Sequence, residues 1–245
     1  MPDRLELTAL AESSHFWFRG FRRFVAPALA EAADGRRDLA LVDCGAGTGH
    51  NLALLRPYGR VTAFDLAPTA LTKARAAGMP IIRGDITRIP FRSGSFDLAT
   101  SFDVLQSVPD DRLAVREMAR VLKPGGSLVL SVAALEILRG DHSEVWQEAQ
   151  RYTPASARAL LAQAGLTPVR VSFMFGTLFP LMLASRTLDR LTRRYRDAPK
   201  ADGDIGIPAA PVNALLAAMV SGEAALARRL PMPVGSSLLV VGKKP

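Results

Sequence analysis

Short runs of branched and apolar residues recur at 39–44, 60–65, 80–84, 96–101 and 127–133, and helical spacing fills the gaps between them. Strand-length runs alternating with helical patterns are the mark of βαβ units on a parallel sheet, so the pattern predicts a doubly wound α/β core. Helices are expected at 50–56, 68–77 and 110–122. Asp110-Asp111 supplies an N-cap for the last of these, and Lys123-Pro124-Gly125-Gly126 stops it. A further helix at 154–164 has Thr153 as N-cap and Gly165 just past its end. Strands six and seven follow at 167–173 and 236–242.

Between those two strands the alternation breaks. Residues 177–196 place Leu178, Phe179, Leu181, Met182, Leu188 and Leu191 against Arg186, Arg190, Arg193, Arg194 and Arg196. That is an apolar half passing into a basic amphipathic helix. A second apolar helix is expected at 212–230, after a Pro/Gly/Asp linker at 197–211. The chain then divides as one domain: an N-terminal helical cap at 1–38, with helical pattern from Leu5 to Ala33, a ligand-binding core at 39–173, a helical lid at 174–234 and a final strand at 235–245. Basic and apolar residues on one helix suit a lipid surface or a lipid-tailed ligand.

Composition narrows the setting. At 245 residues, 49% of them hydrophobic, the chain supplies one large domain. Cys44 is the only cysteine, which excludes an internal disulfide and points to a reducing compartment. The N-terminus mixes charge signs and opens no apolar signal region, and the longest greasy stretch, 174–184, is too short for a bilayer and holds Gly176 and Pro180. A cytoplasmic location is expected. A net charge of +8 permits an anionic partner without requiring one. No spacing of Cys, His, Asp or Glu suggests a metal site.

The chemistry concentrates after the first strand. Leu41-Val42-Asp43-Cys44-Gly45-Ala46-Gly47-Thr48-Gly49 runs from strand into a glycine turn and toward a helix. Glycines allow positive φ and close approach of a ligand, and a helix N-terminus offers N–H groups. Dinucleotide enzymes use the same device, but G-x-G-x-x-G would need a glycine at position 50, where the chain has His50. Asp65, at the end of the next strand and about 20 residues beyond Gly45, can accept bonds from both ribose hydroxyls of an adenosine ligand. Leu66 follows it, Gly84-Asp85-Ile86 closes strand three, and Ser95-Phe96-Asp97-Leu98 with Phe102-Asp103-Val104-Leu105 bounds strand four. Arg120-Val121-Leu122-Lys123-Pro124-Gly125-Gly126 leads into strand five.

In order and spacing these elements resemble the class I S-adenosylmethionine-dependent methyltransferases, in particular their type-11 group, across residues 41–132. The resemblance implies a seven-stranded Rossmann-like sheet whose last strand runs antiparallel between strands five and six. It implies S-adenosylmethionine as methyl donor, with Asp43, Gly45, Ala46, Gly47 and Gly49 around the methionine moiety and Asp65 and Leu66 at the ribose. Asp85 and Ile86 would meet the adenine, and Phe102 the amino-acid end. The segment Glu12-Ser13-Ser14-His15-Phe16-Trp17-Phe18-Arg19 is similar to one subgroup's N-terminal segment, which implies that Trp17 covers the donor and Arg22 meets its carboxylate. His142, in a stretch similar to that subgroup's loop after strand five, is the candidate catalytic base. This chain departs from the subgroup there, with Ser143, Glu148 and Gln150 at its characteristic places.

The implied activity is methyl transfer by in-line displacement to a small or lipophilic acceptor. An RNA-directed methyltransferase and a non-catalytic S-adenosylmethionine-binding regulatory module are the alternatives. Nucleic acid is disfavoured because Ser101-Phe102-Asp103-Val104 stands where amino-directed nucleic-acid enzymes carry Asn/Asp-Pro-Pro-Tyr/Phe. Peripheral membrane contact stays open, as do the oligomeric state and whether the methyl goes to O, N or C.

Overall fold

The computed structural model describes residues 11–68, 75, 78, 80–192 and 206–245. Seven strands, β1 (Leu39–Cys44), β2 (Gly59–Asp65), β3 (Ile81–Arg83), β4 (Phe96–Phe102), β5 (Leu122–Ala133), β6 (Thr167–Met174) and β7 (Ser237–Lys243), form one sheet. Their order is β3-β2-β1-β4-β5-β7-β6. β7 runs antiparallel to both β5 and β6, and the other pairings are parallel. The expected seven-stranded sheet with its inserted antiparallel last strand is the observed one.

Period-two patterning of the central strands builds two cores. Val42, Cys44, Leu128, Leu130, Leu238 and Val240 face one side, where α3 (Asp111–Val121) and α5 (Pro154–Gln163) pack. Leu39, Leu41, Val129, Leu239 and Val241 face the other, beneath α1 (Phe16–Ala33), α2 (Leu52–Leu55) and α7 (Ala210–Ala227). These strands are buried on both faces, as strands between two helical layers must be.

The helix termini follow from their caps. Asp110 accepts from Leu113 N–H at 2.9 Å to start α3, and Thr153 accepts from Ser156 N–H at 3.1 Å to start α5. His15 caps α1 through Nδ1, which accepts from Trp17 N–H at 3.1 Å. Two motif fragments that look unrelated in sequence meet at the end of the sheet away from the glycine loop. Asp97 accepts from Ala40 N–H at 2.9 Å, from Arg36 at 3.0 Å and from Lys123 at 2.8 Å. It ties β4 to β1 and to the start of β5.

The departures from expectation are local. The helix expected at 50–56 is a single α turn, Leu52–Leu55, continued as a 3₁₀ turn to Tyr58. Strand five begins at Leu122 instead of 127, so the Lys-Pro-Gly-Gly stretch lies within β5 as an irregular pairing. The helix expected at 68–77 lies largely outside the described residues, as do Leu5, Arg193, Arg194 and Arg196 and most of the 197–211 linker. The insertion yields α6 (Phe179–Thr192) and α7. α7 lies along α1 at a point where Gly20 has no side chain, since a Cβ there would sit 2.2 Å from Val220 Cγ1. By length and composition α7 could cross a membrane, unlike the greasy stretch at 174–184 that Gly176 and Pro180 break.

Candidate functional site

The carboxyl ends of β1, β2 and β4 converge on the glycine loop. Gly45, Gly47 and Gly49 have φ of 85°, 54° and 80°, a region other residues occupy only with strain. A Cβ on Gly45 would lie 2.2 Å from Val104 Cγ2, so this glycine also lets the loop close against the exit of β4. Four loop N–H groups are already committed. Gly45 and Ala46 donate to Phe64 O at 2.7 and 3.2 Å, Gly47 to Asp65 Oδ2 at 2.7 Å and Gly49 to Ala46 O at 2.8 Å. This corrects the expectation of a donor-rich helix start: the loop offers shape and close approach, and the helix after it is one turn long.

Asp65 binds on both oxygens, since Oδ1 accepts from Ala67 N–H at 2.8 Å. Each oxygen keeps a second acceptor site for a ligand hydroxyl. Beside it Leu66 is 62% exposed, an apolar surface at the rim of the loop. Asp43 is buried below the loop and accepts from Thr100 Oγ1 at 2.6 Å. Burial pushes its carboxyl up to about 7, against the Thr100 bond, and the Asp65 charge adds to the rise.

The other expected residues divide. Asp85 Oδ1 accepts from both the N–H and the hydroxyl of Thr87 at 2.8 Å, and those bonds hold its carboxyl below the ordinary range. Ile86 is buried in the core on the α3 side, and Phe102 is buried with its ring edge-on to Phe21 at 5.3 Å. Trp17 stacks on Phe175 at 3.8 Å, so its face is spent on packing α1 against the exit of β6. Arg22 donates to Glu12 O at 3.0 Å, while Glu12 Oε2 accepts from the Thr48 hydroxyl at 2.6 Å. These contacts bring Arg22 to the loop, where partial burial and its charge lower the His50 pKa. His142 lies in α4 (Asp141–Val145), 5.9 Å from the Trp146 ring.

Two groups carry chemistry that sequence reasoning passed over. Asp103, one residue beyond β4, has φ of 55° and donates its N–H to Ser131 Oγ at 3.0 Å. Its Oδ1 accepts from the same hydroxyl at 3.0 Å. The residue as a whole is exposed, yet the surrounding protein desolvates the carboxyl and pushes it up to about 6; the Ser131 bond opposes this, Glu148 reinforces it and Arg151 opposes it. The second group is the buried pair Glu148–Arg151 at 2.9 Å. An acid directly after a strand at the ligand end is a signal that sequence can show; the approach of the Glu148–Arg151 pair is not.

Residues 42–130 match the methyltransferase domain family. The chain is 36% identical over 139 residues to a malonyl-[acyl-carrier protein] O-methyltransferase of Herminiimonas arsenicoxydans, covering 54% of this chain and 53% of that one. It is 37% identical over 112 residues to a demethylmenaquinone methyltransferase of Mycolicibacterium vanbaalenii, covering 45% and 49%. The chain thus spans about half the length of the curated relatives it matches. A solved S-adenosylmethionine-dependent methyltransferase of Mesorhizobium loti shares the fold, with TM-score 0.57, 21% identity and coverage of 89% and 96%.

Proposed function

From the premise that this chain belongs to the type-11 group of class I S-adenosylmethionine-dependent methyltransferases, we propose that it methylates a small, lipophilic and neutral acceptor that gives up a proton. When bound, S-adenosylmethionine supplies a methyl group on a sulfonium sulfur. The residues present fit that ligand: a loop with positive φ at three glycines that carry no side chain to block close approach, and Asp65 with acceptor capacity left on both oxygens at the end of β2. Asp85 and Leu66 would take the adenosine in this reading, and Arg22, drawn in by Glu12 and Thr48, offers a cation at the loop.

Asp103 is the observation that carries the acceptor assignment. It stands at the exit of β4, beside Val104, which closes on Gly45. Its carboxylate, raised to about 6, matches a general base working near neutral pH. Its Oδ atoms would take the acceptor's proton as the methyl group arrives, and Ser131 holds it in place. An acceptor that is already a carboxylate needs no base, and would meet the Asp103 carboxylate as a like charge. His142 remains a second candidate on the acceptor side. α6 packs on the segment between β5 and α4: Arg190 donates to the carbonyls of Ile137 and Arg139, and Arg186 lies so close that a Cβ on Gly140 would be 2.7 Å from its Cδ.

The test is to incubate the protein with S-adenosylmethionine and either reduced demethylmenaquinone or a malonyl thioester, and to quantify S-adenosylhomocysteine and methylated product. Preference for the neutral acceptor is expected. Preference for the ionised malonyl group would overturn the proton-acceptor role of Asp103.

A further inference from the structure

α7 is an apolar helix of eighteen residues, only 22% of them buried. Its buried side is firmly held. Asn213 accepts from Phe16 N–H at 2.8 Å and donates to Ser14 O at 2.9 Å, Val220 fills the gap at Gly20, and Glu223 accepts from Gly176 N–H, Thr177 N–H and the Thr177 hydroxyl at 2.6 to 2.9 Å. An adjoining side, roughly a third of a turn round the helix, carries Val212, Leu215, Met219 and Leu226, each between 41% and 62% exposed. Spacings of three, four and seven residues put them on one narrow stripe along the axis. Just beyond the helix, Arg228, Arg229 and Leu230 are all exposed. Glu223 is the only acid between Ile207 and Ser237, and it is buried and consumed by the α6 start.

We propose that this face of α7 docks on an anionic lipid surface, with the stripe entering the acyl boundary and Arg228 and Arg229 meeting lipid phosphates. A helix tied to α1 by Asn213 and Val220, and to the segment before α6 by Glu223, cannot cross the bilayer without leaving the fold. A helix with one apolar side and terminal cations instead lies in the interface plane. Charge decides the partner. A second copy offers no exposed acid on this helix to answer the arginines in either orientation, whereas an anionic surface attracts each arginine. The inference does not depend on which atom is methylated, and it would bring the protein to where a lipophilic acceptor is dissolved.

The experiment is flotation of the full chain with vesicles of phosphatidylglycerol and phosphatidylcholine in equal parts, and with phosphatidylcholine alone. Flotation with the first and roughly tenfold less with the second is expected. Leu215→Glu/Met219→Glu and Arg228→Glu/Arg229→Glu should each abolish it, with unchanged circular dichroism and S-adenosylhomocysteine affinity. Absence of flotation with anionic vesicles would overturn the proposal, as would flotation unaffected by the α7 variants. Sedimentation equilibrium that finds a dimer dissolved by Leu215→Glu/Met219→Glu would assign the face to a second copy and overturn it as well.

Discussion

Both oxygens of Asp65 already hold the loop, from Gly47 at 2.7 Å and Ala67 at 2.8 Å, so the residue shapes the site as well as binding in it. Hydrogen bonds to a charged group contribute about 1.5–3 kcal/mol each. Asp65→Ala is therefore expected to weaken S-adenosylhomocysteine binding roughly ten- to a hundredfold in calorimetry. A folded variant with undiminished affinity would remove Asp65 from the site. At Asp103 the test is pH. A base works deprotonated, so turnover should rise as pH passes through about 6 and then level. Asp103→Asn should lose that limb and about 10²–10⁴-fold in kcat; an unchanged profile would return the role to His142. Asp65 and the three glycines were legible because strand, turn and carboxylate follow one another in sequence. The role of Asp103 was not, because the Glu148 charge that helps set its pKa arrives through the fold. The bond between Glu12 and Thr48 was not legible for the same reason.

Three strand exits share a backbone feature. Asp103 after β4, Leu135 after β5 and Phe175 after β6 have φ of 55°, 58° and 63°, a strained state for residues with side chains. All three lie at the edge of the sheet where the glycine loop sits. No periodicity reports such turns, which is why the strands themselves were readable and their endings less so. The α2 turn was overcalled because its apolar spacing continued into Arg56-Pro57-Tyr58, where proline favours a tighter turn. α7 was expected as an apolar helix at 212–230, but its fitness for a membrane was hidden because Asn213 and Glu223 interrupt its apolar run, and only the fold shows that both face inward. The α1–α7 crossing offers a clean check. Gly20→Ala would drive a methyl into Val220 Cγ1, at 2.2 Å in the present geometry, and should cost about 1–3 kcal/mol. Adding Val220→Ala should restore much of that loss by removing the colliding methyl. If chemical denaturation finds the two effects additive, the helices do not meet at this point.

At the scale of the molecule, two cores share one sheet, and the glycine loop joins them at the ends of β1 and β2. Val42 and Cys44 face the α3 side, whereas Leu41 and Ala46 face the α1 side. A ligand seated on that loop therefore stabilises both layers together. Stability should also respond to pH through the buried acid below it. The folded pKa of Asp43, about 7, lies above its unfolded value, so its stabilising contribution is full below the ordinary carboxylate range and is lost as pH rises through 7. Asp43→Asn keeps an acceptor for Thr100 and should flatten that loss between pH 4 and 8 in thermal melts. Ligand linkage gives the sharper measurement. A ligand that binds only the folded chain at a hundred times its Kd adds about 2.7 kcal/mol. For a domain of this size each kcal/mol moves Tm by roughly 2–4 °C, so S-adenosylhomocysteine should raise Tm by roughly 5–10 °C. At the same concentration, an Asp65→Ala variant binding ten times more weakly should keep about half of that shift, because the stabilisation follows the logarithm of the ratio of ligand concentration to Kd. Asp103→Asn should keep nearly all of it, since Asp103 is assigned to the acceptor and not to the donor. Equal loss in both variants would merge the two subsites into one, and a Tm unmoved by the ligand in the native chain would remove the glycine loop from donor binding altogether.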